Sequence, residues 1–189
     1  MTGIQRLSAG EWVNLNNSYG YVPLAGTSFY QEREQRSGTV SGKTVEKSYF
    51  KLVINHGAEP ASASYAYALL PGANTEETEE FYSEPTVEIL AMTENIHAVR
   101  DLETGVIGIN VFTVGESLCG MTFLTPCSVI IKGNEIFVSD PTQTQSAVSI
   151  AFDSDITAES DSNISQEGNA VTVIMPIRGK TYSFTANGY

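Results

Sequence analysis

The chain has 189 residues, 41% of them hydrophobic, with two cysteines and a formal net charge of −12. That length holds one large domain or two small ones with a real core, and no apolar run is long enough to form a membrane span. An acidic surface repels polyanions at long range, which argues against non-specific nucleic-acid binding. No apolar signal-peptide core follows Met1, so any export signal is expected upstream of this segment.

The charge is unevenly spread. Residues 1–51 hold six basic side chains (Arg6, Arg33, Arg36, Lys43, Lys47, Lys51) against four Glu, whereas residues 52–189 hold four basic against eighteen acidic ones. In chain order, Glu11 to Leu15 reads as a short strand carrying the single Trp, Trp12, and Asn16-Asn17-Ser18 is a turn cluster. Tyr19 to Leu24 is a second strand. Ser28 to Arg36 alternates Phe29, Gln31 and Arg33 against Tyr30, Glu32 and Glu34, which suits a half-exposed antiparallel strand. Ser37-Gly38 and Ser41-Gly42 then read as loop punctuation. Tyr49 to Pro71 is expected to form the central hairpin: Tyr49–Ile54 is one strand, Asn55-His56-Gly57 and Pro60 end it, and Ala63–Leu70 is the second.

Ala73 to Glu84 is the one helical stretch. Asn74 or Thr75 can cap it, and Glu76, Glu77, Glu79 and Glu80 crowd the first turns, where the helix dipole favours negative charge. Four Glu on so short a helix read as a solvated face rather than as acid–base machinery. Pro85 ends it, and a domain boundary is placed there. Beyond it, strands are expected at Val87–Met92, Ile96–Arg100, Val106–Val114, Ser128–Lys132, Ile136–Ser139, Ala147–Phe152, Ala170–Met175 and Thr181–Thr185, with hairpin turns at Gly133-Asn134 and Gly168-Asn169. Short strands at this spacing mean an all-β, antiparallel β-sandwich with one short helix.

Two stretches carry a family resemblance. Leu52 to Pro71, LVINHGAEPASASYAYALLP, resembles the end of the central β-sheet domain of the family 8 polysaccharide lyases, which act on hyaluronate, chondroitin or xanthan. Val138 to Phe152, VSDPTQTQSAVSIAF, resembles part of their small C-terminal β-sandwich, in the same order along the chain. Trp12-Val13 with Gly20-Tyr21-Val22, and Arg33–Gly38 with Thr39-Val40, are weaker echoes. The resemblance implies that residues 1–84 are the C-terminal part of a central β-supersandwich domain and 85–189 a C-terminal β-sandwich. It implies a secreted bacterial parent, extracellular or at the cell surface, that cleaves an acidic polysaccharide by β-elimination without an organic cofactor. In that family the catalytic Asn, His, Tyr and Arg lie on an upstream helical toroid. No position here matches that motif, so no catalytic residue is assigned, and the chain alone is expected to be inactive. A stand-alone carbohydrate-binding or adhesive module is the alternative.

The candidate contacts are few. Only the Arg33–Lys51 region has the sign to meet an acidic polysaccharide, so Arg33 and Arg36 are candidate substrate contacts, with a solvated hairpin face as the plainer reading. Tyr19 and Tyr21, with Trp12 and Tyr30, are candidates for stacking on sugar rings, against the alternative of a packed aromatic core. His56 is expected to satisfy backbone groups at its turn and His97 to be packed in a strand. Cys119 and Cys127 are read either as a disulfide pair closing a short loop or as two reduced core thiols. Asp153, Asp155 and Asp161 form the most calcium-like acidic stretch, though its spacing lacks the Gly and closing Glu of an EF-hand loop, and a solvated loop is the plainer reading.

Overall fold

The computed structural model describes residues 5–10, 12–159 and 162–189, the first of these stretches as backbone. The chain divides into two compact units, Met1–Pro85 and Thr86–Tyr189. All strand pairings are antiparallel among the described residues, and the one helix among them is short, as the alternating sequence pattern requires.

The first unit contains β1 (Gln5–Gly10), β2 (Val13–Leu15), β3 (Tyr19–Leu24), β4 (Phe29–Val40), β5 (Lys43–Val53), β6 (Ala66–Pro71) and α1 (Thr75–Ser83). Two three-stranded sheets result, ordered β1-β4-β5 and β2-β3-β6. Asn16 and Asn17 take left-handed backbone (φ 54 and 56) between β2 and β3, a conformation Asn tolerates better than most residues.

Two expectations are corrected in this unit. Ser37-Gly38 is not a loop, because β4 runs unbroken to Val40 and turns only at Ser41 and Gly42 (φ 51 and 75). This is the two-residue, positive-φ connection that matches strand twist. Nor is Tyr49–Pro71 a hairpin. Its first strand belongs to β5 and pairs with β4, while its second is β6 and pairs with β3 in the other sheet. The connection between them, with Gly57 at φ 81 and Glu59 and Ser62 also left-handed, is long enough to change sheets.

Helix α1 is fixed at its start by a reciprocal capping box. The Asn74 side chain accepts from Glu77 N (3.0 Å) and Glu77 Oε2 accepts from Asn74 N (2.8 Å). The helix sits on β2 and β3 through Thr78, which is fully buried. Its hydroxyl donates to Asn74 O (2.7 Å) and accepts from Asn14 Nδ2 (2.7 Å). Gly20 lies directly beneath it, and a Cβ there would come within 2.5 Å of Thr78 Oγ1, so this close approach requires glycine.

The second unit contains β7 (Val87–Met92), β8 (Ile96–Asp101), β9 (Ile107–Val111), β10 (Ser117–Leu118), β11 (Met121–Phe123), β12 (Cys127–Lys132), β13 (Glu135–Ser139), β14 (Ala147–Phe152), β15 (Thr157–Glu159), β16 (Ile164–Glu167), β17 (Ala170–Ile174) and β18 (Tyr182–Asn187). They form a five-stranded sheet, β10-β11-β14-β17-β16, and a seven-stranded sheet, β15-β18-β13-β12-β9-β8-β7. Alternate residues point inward, and the layer between the sheets is apolar: Ile109, Val129, Ile136 and Val138 come from one side, Phe123, Val148, Ile150 and Val171 from the other. Phe152 meets Phe184 edge-on across it, with ring centroids 6.3 Å apart.

The corner from β13 to β14 turns on Asp140, which is only 5% exposed. Its carboxylate accepts from Thr142 N (2.9 Å), Thr142 Oγ1 (2.6 Å), Thr144 N (2.8 Å) and Gln145 N (2.8 Å). Burial pushes this carboxyl up, but the hydrogen bonds from Thr142 and Gln145 outweigh it and hold it well below the usual carboxylate range. Among the described residues no helix is long and apolar enough to cross a membrane.

Candidate functional site

The first unit contains a hollow of about 310 Å³ lined by Tyr21, Phe29, Leu52, Ile54, His56, Tyr65 and Tyr67. Period-two alternation builds it. Tyr21 on β3 and Tyr67 on β6 share a sheet face through the Tyr21–Leu69 and Pro23–Tyr67 pairs, while Phe29 and Leu52 share one face of the β4–β5 pair. Tyr65 and Tyr67 stack with centroids 6.4 Å apart and planes 15° off parallel, and the His56 ring lies 5.9 Å from Tyr65. The hollow can take an apolar or ring-shaped group and offer it hydroxyl donors. Among the described residues its lining holds neither Arg nor carboxylate, and its ionisable side chains are His56 and the three tyrosines.

The four proposed contacts do not come together at one place. Tyr21 lines the hollow. Tyr19, two residues earlier on the same face, is 50% exposed outside its lining. Arg33 and Arg36 lie on opposite faces of β4, because an odd number of steps along a strand reverses the side chain. Tyr30, 43% exposed, shares the Arg36 face, and Trp12 is half-buried. The histidine expectations are also revised: Asn55, not His56, closes the turn by accepting from Gly57 N (2.9 Å), and His97 is an exposed residue edge-on to Phe112 at 5.1 Å.

The Arg36 face carries a pattern that sequence reading missed. Lys43, Lys47 and Lys51 are four residues apart on β5, so all three project to the same side, where the register sets Arg36 opposite Lys47 and Glu34 opposite Tyr49. Glu34 is bound by Arg36 (2.8 Å) and Lys51 (3.1 Å), and Lys51 also reaches Glu32 (3.7 Å). Hydrogen bonding from Arg36, then Lys51, lowers the Glu34 carboxyl, and Glu34 in turn raises the Arg36 guanidinium. Arg36 also lies over the Tyr49 ring, 5.4 Å from its centroid. The spacing of the lysines was visible in the sequence, but it has meaning only once the segment is known to be one uninterrupted strand.

Both thiols are free. Cys119 lies in the β10–β11 turn of the five-stranded sheet and Cys127 faces the core from the seven-stranded one. Burial raises both thiols, Cys127 to about 12, so neither is an activated nucleophile. Asp153 and Asp155 are exposed, and Asp161, like Glu11 at the start of the first expected strand, lies outside the described residues. Among the described residues no three His, Cys, Asp or Glu side chains converge to hold a metal ion.

With a β-rich unit ending in a capped helix and a two-sheet sandwich after it, comparison with known families is decisive. Residues 2–82 match the super-sandwich domain of polysaccharide lyase family 8 and residues 88–149 match the C-terminal β-sandwich domain of the same family. The chain belongs to polysaccharide lyase family 8 and corresponds to its C-terminal β portion. It is 30% identical to a hyaluronate lyase of Enterococcus faecalis over 153 residues (74% of this chain, 15% of the relative). To a xanthan lyase of Bacillus sp. it is 28% identical over 204 aligned positions (97% and 21%). It superimposes on a solved chondroitinase AC lyase with a TM-score of 0.75 at 26% identity, covering 96% of this chain and 28% of that one. The chain thus spans about a fifth or less of the length of the curated relatives quoted.

Proposed function

We propose that this chain is the non-catalytic β portion of a secreted bacterial lyase that cleaves a uronic-acid-containing polysaccharide by β-elimination. The two domains brace or line the substrate cleft, while an upstream helical toroid of the same polypeptide supplies the residues that neutralise the uronate carboxylate and move the proton. The observation that carries this reading is the order of the two domain matches, super-sandwich then C-terminal sandwich, along one chain. The side chains agree with it. Burial raises both thiols, so neither is an activated nucleophile. Neither calcium nor an organic cofactor has a role in this reading.

The test is product absorbance at the wavelength of unsaturated uronates, with the chain incubated with hyaluronan, chondroitin and xanthan. No turnover is expected. Turnover by this chain alone would overturn the assignment and move attention to His56, Tyr65 and Tyr67.

A further inference from the structure

The outer half of the β4–β5 hairpin is exposed on both faces, yet its charges are sorted between them. From Gln35 to Ser48 the cations Arg36, Lys43 and Lys47 lie on one face, and the sole acid of that span, Glu46, lies on the other, together with Thr39, Thr44 and Ser48. Solubility alone does not require such sorting. Arg36 directly opposite Lys47 is unfavourable, because facing like charges on paired strands repel. Glu34 relieves Arg36 and Lys51, while Lys43 and Lys47 have no ion-pair partner among the described residues. An arrangement that costs energy in the free protein and leaves cations in a row is completed by an anion.

Apolar surface alternates with these charges. Tyr49, 46% exposed, stands between Lys47 and Lys51, and Val45 lies opposite Gly38, where the missing side chain leaves a flat saddle. At the base of the same face Tyr30, Glu32, Val53 and Asn55 border an open hollow of about 280 Å³. The lysines follow one another about 13 Å apart, given the rise of a strand. Around Lys43 and Lys47 the track is two strands wide, with β1 pairing beside β4 only at the Lys51 end, an open form that suits a linear ligand carrying anions at intervals and presenting rings between them.

We propose that this face of the β4–β5 hairpin, with Lys43, Lys47 and Lys51 alternating with Tyr49 and Val45, is a binding track for an extended acidic polysaccharide. The inference rests on the reading of the chain as part of a polysaccharide lyase only for the choice of polyanion. The family matches favour a polysaccharide over a nucleic acid as that polyanion. The track positions or retains a chain and touches no reacting atom.

The test compares two double variants of the intact chain with the same change in net charge: K43Q/K47Q on the track, and T44E/S48E on the opposite face. Affinity for hyaluronan and chondroitin sulfate oligosaccharides is measured by calorimetry at low and at physiological salt, with polyglutamate as the control anion. All four positions are exposed, and circular dichroism verifies that both variants fold. K43Q/K47Q is expected to lose at least tenfold in affinity and much of the salt dependence, and T44E/S48E to stay within about twofold, since screened charges on the far face contribute little. The inference is overturned if the parent chain binds neither glycan, if both variants weaken binding equally, or if polyglutamate binds as tightly as the glycans. Failure of binding leaves the non-catalytic assignment standing, whereas turnover by the chain would remove that assignment and leave the track to the affinity data.

Discussion

Replacing Asp140 with Asn isolates the charge of the β13–β14 corner. The carboxylate accepts four hydrogen bonds, two at each oxygen, three of them from backbone N–H groups. Asn keeps one acceptor oxygen and sets an NH₂ group against the donors on the other side. A hydrogen bond to an ionised group contributes about 1.5–3 kcal/mol, so losing two of them, partly compensated by solvent, costs about 3 kcal/mol. With a urea dependence of about 2 kcal/mol/M the unfolding midpoint falls by about 1.5 M. The pH dependence follows from the depressed carboxyl. The folded value lies below the unfolded one of about 3.9, so the contribution is complete above that pH and is lost as pH falls toward the folded value. Urea unfolding of parent and D140N from pH 7 to pH 2.5, with hydrogen exchange on peptides of Thr86–Tyr189 to assign the transition, measures both effects. The gap between the two proteins should be constant from pH 7 to 5 and then narrow. A midpoint within about 0.3 M of the parent at pH 7, or a gap that ignores pH, would refute the reasoning.

Two further predictions concern close packing. Gly20→Ala should destabilise the first unit by about 1–3 kcal/mol because its Cβ runs into Thr78. Combining it with Thr78→Ala should cost clearly less than the sum of the two single variants, and strict additivity in thermal unfolding would contradict the contact. Cys127 should resist iodoacetamide at pH 8 in the native chain and react only once urea exposes it, since its thiol is buried and raised to about 12. Peptide mass spectrometry reads this directly, and equal labelling of native and unfolded Cys127 would be inconsistent with the core position.

The sandwich was legible because its strands are long enough to show alternation: Val148, Ile150 and Phe152 inward against Ser149 and Ala151 announce both the strand and its buried face. The helix was legible through Asn74 and the acidic first turn, which are local chemistry. β10, β11, β15 and β16 were not, since two to four residues cannot display a period. The pairing of Tyr49–Pro71 failed for a different reason. Adjacency along the chain favours a hairpin, and nothing local says that β6 will join β3 rather than β5. The charged track failed with it. Starting the strand at Tyr49 left residues 43–48 in a loop and cut off the first half of β5, whose continuity gives the spacing of Lys43, Lys47 and Lys51 its meaning.

The exchange of strands between the two small sheets also sets an order of events. The β4–β5 turn is closed by two residues and can form within microseconds, but Tyr19 must wait for Pro71 before β3 is paired on its second side. During synthesis, β3 therefore emerges with a bare edge and keeps it until the whole hairpin and the crossing segment have followed. A sheet edge left open for that interval invites pairing with other chains. Yield of soluble protein should accordingly respond to changes in the 54–65 connection more than to changes at the Ser41-Gly42 tip, even where the finished folds are equally stable.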